Sequence, residues 1–142
     1  MKTKTAIKRD NQWLLSRLDF IWSRYFADIP QTNKVFISFG RFAKLRLGSI
    51  KFDKKTKATI ITITSMFRDL SIPQQVVDHT IGHELTHYTH GFSSTHPRLH
   101  KYPHAGGVVR KEMIARGMGH LSDAYKSWIK SYRYSLGKRH GW

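Results

Sequence analysis

The sequence contains no cysteine. That excludes disulfides, zinc ribbons, iron–sulfur clusters and thiol nucleophiles, so any metal must be held by His, Asp or Glu. Acid is scarce: 9 Asp and Glu stand against 25 Lys and Arg, a formal charge of +16 with neutral His. Only Glu84 and Glu112 are glutamates. The apolar stretches fall far short of the ~20 residues that a membrane span needs, so no membrane partner is expected. The basic start Met1-Lys2-Thr3-Lys4-Thr5-Ala6-Ile7-Lys8-Arg9 is followed by no apolar leader core, and a cytoplasmic location is the default expectation. Internal repeats, low-complexity tracts and linkers are also lacking, and 142 residues suit a single domain over 1–142.

What is present is a mixed, globular composition, 39% hydrophobic and 24% charged, with none of the signs of a disordered chain. Its positive surplus attracts polyanions, and DNA or RNA is the commonest of them. Residues 10–27 carry Trp13, Leu14, Leu18, Ile21, Trp22 and Tyr25 at helical spacing, which predicts an amphipathic helix stopped at Asp28-Ile29-Pro30. Residues 34–65 hold three β-rich runs, 35–39, 45–52 and 58–64, with Gly48 read as a bulge and 53–57 as a polar turn. A small antiparallel three-stranded sheet is the expectation. Residues 72–90 read as the next helix, opened by a Ser71–Gln74 capping box with Pro73 in the first turn and stopped by Gly91. A loop over 92–107 leads to helices over 108–116 and 121–135, broken around Gly117 and Gly119. The fold class is therefore α+β.

The helix over 72–90 carries His83-Glu84-Leu85-Thr86-His87, the H-E-x-x-H pattern. Residues i and i+4 stand one above the other on a helix, so two imidazoles can reach one metal ion. Glu84 lies about 100° around the helix from His83, placed to take a proton from a metal-activated water without being a ligand. With this composition a chance match is expected in fewer than about one chain in a hundred. Val77, Ile81, Leu85 and Tyr88 share a different face, so the helix can pack by one side and present the imidazoles from another.

A zinc ion bound this way needs a third protein ligand and keeps one position open. His90 and His79 share the helix with the pair but are displaced along its axis, too far for a common ion. His96, His100 and His104 in the following loop are candidates, with Glu112 as a further one, and position alone does not choose among them. His96, His100 and Tyr102 are also candidates for stabilising an oxyanion.

Several segments resemble the SprT-like metallopeptidases, in particular the compact YgjP-like branch. The matching stretches are Val35-Phe36-Ile37-Ser38-Phe39-Gly40-Arg41, Leu47-Gly48-Ser49-Ile50, Ile61-Thr62-Ile63-Thr64, Pro73 to Val77, and Thr80-Ile81-Gly82-His83-Glu84-Leu85-Thr86-His87-Tyr88. They lie between Val35 and about Gly117, and H-E-x-x-H is the sharply specific element. The resemblance implies a minimal zincin-like fold and a Zn2+-dependent peptidase acting on protein or peptide. It further implies that the third ligand is a His opening the next helix, which His104-Ala105-Gly106-Gly107-Val108 fits. Val108 stands where the family often has an aromatic, and the zinc ribbon of longer members cannot form without cysteine.

The expected site is thus His83, His87 and His104 on the metal with Glu84 as general base. Two other functions fit the same residues. A metal-activated water flanked by Arg and Lys would suit a nucleotide phosphohydrolase. A non-enzymatic nucleic-acid-binding module would use the basic tail, where Lys126, Trp128, Lys130, Tyr132, Arg133, Tyr134, Lys138, Arg139, His140 and Trp142 interleave charge and rings, or the sheet residues Arg41, Lys44, Arg46 and Lys51. Leu121, Tyr125, Trp128, Ile129 and Tyr132 also share helical spacing, and core packing is the simpler reading for those rings.

Overall fold

A computed structural model describes residues 7–139. The start Met1–Ala6, the tail residues His140 and Trp142, and the side chains of Lys138 and Arg139 lie outside the described residues. The elements run α1 (Asn11–Tyr25), β1 (Val35–Phe39), β2 (Gly48–Phe52), β3 (Thr59–Ile63), α2 (Gln74–Thr89), α3 (Val108–Ala115) and α4 (Gly119–Arg139). The α+β class is as expected.

The sheet corrects one expectation. Its order is β1-β3-β2, with β1 parallel to β3 and β2 antiparallel to it, so it is mixed and not an antiparallel meander. The run densest in β-branched residues takes the centre, where Thr59, Ile61 and Ile63 are buried. The polar turn at 53–57 forms as expected, held by Lys57 N–H donating to Asp53 O at 2.7 Å and Asp53 N–H to Ala58 O at 2.9 Å. The second strand starts at Gly48, not at 45. Its pairing Gly48↔Ile63 is regular, so Gly48 is no bulge.

The helix α1 is capped by Asp10, whose carboxylate accepts from Trp13 N–H at 2.9 Å. It buries Leu14, Leu18 and Ile21. The capping box expected at the start of α2 does not form. Pro73 is the N-cap, and Ser71 N–H instead donates to Asp69 Oδ1. The stop is as read: Gly91 has φ +82°, its N–H donates to Tyr88 O, and Phe92 N–H reaches back to His87 O at 2.9 Å, the Schellman pattern. Gly117 ends α3 in the same way, with φ +90°.

The helix α2 is the hub. It packs against α1, α3, α4 and the strands β2 and β3. Val77, Ile81, Leu85 and Tyr88 are all buried, the face the periodicity assigned to packing. Arg17 of α1 grips Asp78 of α2 through two bonds of 2.9 Å, which fixes the helix in rotation and register. In α4, Leu121 is buried, and Tyr125, Trp128, Ile129 and Tyr132 pack against the core. Trp128 and Tyr132 are thus core anchors, stacked on each other with Trp128 edge-on to Phe67, whereas Tyr134 is exposed. Among the described residues no helix is long and apolar enough to cross a membrane.

Candidate metal centre

The motif helix brings His83 and His87 together on one side, with Nε2 atoms 3.1 Å apart. The loop after α2 returns across them. It carries His104, whose Nε2 lies 3.4 Å from that of His83. The chain then turns through Ala105–Gly107 directly into α3. Gly106 and Gly107 have φ +70° and +66°, and a Cβ on either would meet nothing, so glycine there serves the turn and not a close approach.

One ligand nitrogen from each of His83, His87 and His104 lies within 4.8 Å of the others, so this three-His group can hold a metal ion. Nitrogens around a tetrahedral ion with bonds of 2.0–2.1 Å stand about 3.3 Å apart. The His83–His87 and His83–His104 separations, 3.1 and 3.4 Å, bracket that spacing. Burial pushes the His83 imidazole down to about 4 and that of His87 to about 3, with the neighbouring histidines adding to the effect. Both rings are therefore neutral at physiological pH, the form that donates a lone pair to a metal. His87 Nδ1 is buried and has no hydrogen-bond partner among the described residues.

The three histidines and Glu84 line a cleft of ≈ 510 Å³. Its opposite wall is the stretch from Leu45 to Ile50, the end of the β1–β2 connection and the first half of β2. Glu84 is 5% exposed. Burial raises its carboxyl to about 7, opposed in part by the Arg46 guanidinium. A group with its pKa near neutrality can both accept and return a proton at working pH. Gly48 explains how Glu84 fits: a Cβ there would sit 2.7 Å from Thr80 Cγ2 and 3.3 Å from Glu84 Oε1. The glycine read as a bulge is thus a space requirement between strand and carboxylate.

The other sequence candidates lie elsewhere. His96 Nε2 is 2.8 Å from Pro30 O, and its ring packs edge-on to Tyr88. His100 packs its ring against His90. Glu112 contacts His90 Nε2 at 3.1 Å and accepts from Arg116 at 3.0 Å. Neither His96, His100 nor Tyr102 is among the residues lining the cleft.

Two residues touching the motif helix or its cleft have roles that the sequence reading did not assign. His79, set aside as a ligand, stacks on Tyr125 at 4.3 Å between ring centres and forms part of the cleft wall. Its position one helical turn before His83 was the signal available. Asn33 has no sequence signal: it accepts from the Tyr88 hydroxyl at 2.7 Å and so ties the approach to β1 onto the motif helix.

Compared with models of known protein families, with curated proteins and with solved structures, the chain matches none of them.

Proposed function

We propose that the protein is a zinc-dependent peptidase, with His83, His87 and His104 as ligands and Glu84 as general base and proton donor. The observation that carries this reading is the convergence of three imidazoles on one point beside a buried carboxyl in one cleft. Three neutral nitrogen donors with no thiolate suit zinc in a catalytic arrangement. Bound there, zinc supplies a water of pKa near ~7 and polarises a substrate carbonyl at its open position.

The chain's own residues supply the rest. Glu84 accepts a proton at its carboxylate and returns it to the leaving amine. Gly48 leaves room for that carboxylate to sit against β2. Among the described residues β2 pairs with no strand but β3, so it is an edge strand in the cleft wall, with Ile50 O accepting from Ser93 Oγ at 3.4 Å. An extended peptide can pair with that edge, which would bring its carbonyls past the histidines.

The basic surface supports association with DNA or RNA as an accessory property: Arg41, Lys44, Arg46 and Lys51 are all exposed. Arg46 in the cleft wall favours one competing activity, phosphoanhydride hydrolysis of nucleotides.

The test is hydrolysis of an unfolded protein by the zinc-loaded chain beside Glu84→Gln. Cleavage should fall by about 10²–10⁴-fold in the variant with zinc content unchanged. Zinc-loaded wild type that cleaves no peptide bond but turns over nucleoside triphosphates would replace this reading with the competing one.

A further inference from the structure

A second cavity, of ≈ 280 Å³, adjoins the cleft and shares His79, His83, His104 and Tyr125 with it. An occupant there lies directly beside the histidines of the candidate metal centre. Val109 and Met113, four residues apart on one face of α3, line the cavity and are both buried. Tyr125 of α4 adds a ring, held almost parallel to that of His79 at 4.3 Å between ring centres. The accessible wall is almost wholly apolar, so Arg110 and Lys126 border it through their methylene stems. His79 Nδ1 and Ser122 Oγ are buried out of reach and offer an occupant no bond.

These features discriminate between occupants. Apolar walls favour every carbon that is withdrawn from water against them. A charged or amide end would lose its hydration there and find no partner. Size then separates large apolar side chains from small ones. The volume is nearly twice the ~150 Å³ in which an apolar protein cavity takes up benzene. A phenyl ring with its methylene fits, whereas an alanine methyl leaves most of the space empty. The Tyr125 ring and the Met113 thioether both make favourable contacts with an aromatic ring. We infer that this cavity is a specificity pocket for a large apolar side chain such as phenylalanine, on a substrate residue flanking the scissile bond. The inference rests on the peptidase reading above and adds to it the class of peptide preferred.

The test uses the full, zinc-loaded chain and fluorogenic peptides that differ only in carrying Phe, Ala or Glu at one position flanking the scissile bond. At one of the flanking positions Phe should exceed both Ala and Glu by about tenfold or more in kcat/KM. Val109→Phe fills the cavity from α3 and should bring the Phe-to-Ala ratio close to one. A ratio between two peptides on one protein is independent of how much of that protein is folded. Ile114→Phe, at an exposed position of α3 outside the cavity, should leave the ratio unchanged. Val109→Ala enlarges the cavity and should move the preference from Phe toward the larger naphthylalanine, which tests the pocket even if Val109→Phe fails to fold. Equal use of Phe and Ala at both flanking positions, or a preference that both changes at Val109 leave as it was, overturns the inference.

A second arm keeps the two readings separable. Affinity of the Phe and Ala peptides for zinc-loaded Glu84→Gln is read by fluorescence anisotropy, which needs no turnover. Tighter binding of the Phe peptide, altered by the changes at Val109 but without cleavage by wild type, would support the pocket and remove the peptidase. Equal binding would overturn the pocket even if cleavage is robust.

Discussion

Replacing Gly48 by alanine perturbs the contact that seats the Glu84 carboxyl. The added methyl would lie 2.7 Å from Thr80 Cγ2, closer than real side chains approach, and 3.3 Å from Glu84 Oε1. The strand cannot simply retreat, because Gly48 pairs with Ile63 and the ladder continues to Phe52↔Thr59. Nor can α2, which is clamped by the Arg17–Asp78 pair. Overpacking of this kind costs about 1–3 kcal/mol. A displaced Glu84 should also lower kcat by about tenfold or more while zinc affinity stays unchanged, since misplacement by an ångström can cost about a hundredfold. Thr80→Ser removes the clashing methyl and keeps the hydroxyl that donates to Val76 O at 3.0 Å. Alone it should cost at most about 1 kcal/mol, the value of one buried methyl. Combined with Gly48→Ala, it should return about 1 kcal/mol or more relative to the sum of the single changes. Urea unfolding followed by tryptophan fluorescence measures all four proteins. Wild-type stability and kcat for Gly48→Ala, or strict additivity in the double variant, would refute the steric argument.

Two further outcomes are expected. Gly91→Ala should destabilise by more than the ~1 kcal/mol of a left-handed residue alone, because its Cβ would meet Pro97 O at 2.3 Å; a change under that figure in urea unfolding would contradict it. In the metal-free protein, burial holds His79 and His83 at about 4 and His87 at about 3, below their ordinary 6.5. Their contribution to stability is full above pH 6.5 and is lost on acidification toward pH 4, because the unfolded chain takes up those protons first. Glu84, raised to about 7 from 4.5, acts in the opposite sense and costs stability as pH rises between those values. The three histidines outweigh it, so the urea midpoint should fall from pH 6.5 to 4, and more steeply in Glu84→Gln; a flat profile would contradict the burial argument.

The sequence disclosed the site more fully than the sheet. His83, Glu84 and His87 are legible because helical spacing is a local property. Gly91 is legible because its role, a positive φ closing a helix, needs no distant partner. The placement of β1 beside β3 is not local. Alternation in Val35–Phe39 says which residues face the core, but a parallel and an antiparallel neighbour want the same pattern. Gly48 was readable as a special position, yet its reason lies in Thr80 and Glu84, residues distant in sequence that meet it only in the fold. The third histidine shows the same limit. His96, His100 and His104 are equivalent by position, and the return of the loop through Gly106 and Gly107 is what brings His104 to His83. Ser71 and Gln74 had the spacing of a capping box, but Asp69 takes the Ser71 N–H and Pro73 becomes the cap.

The central claim is that three imidazoles from α2 and the following loop bind one zinc ion. X-ray absorption of the zinc-loaded chain, wild type beside His104→Ala, tests it most directly. The expected result is one zinc per chain with three imidazole nitrogens at about 2.0–2.1 Å and one oxygen, and one imidazole fewer in the variant. A wild-type chain that binds no zinc, or a His104→Ala zinc shell identical to wild type, would contradict it.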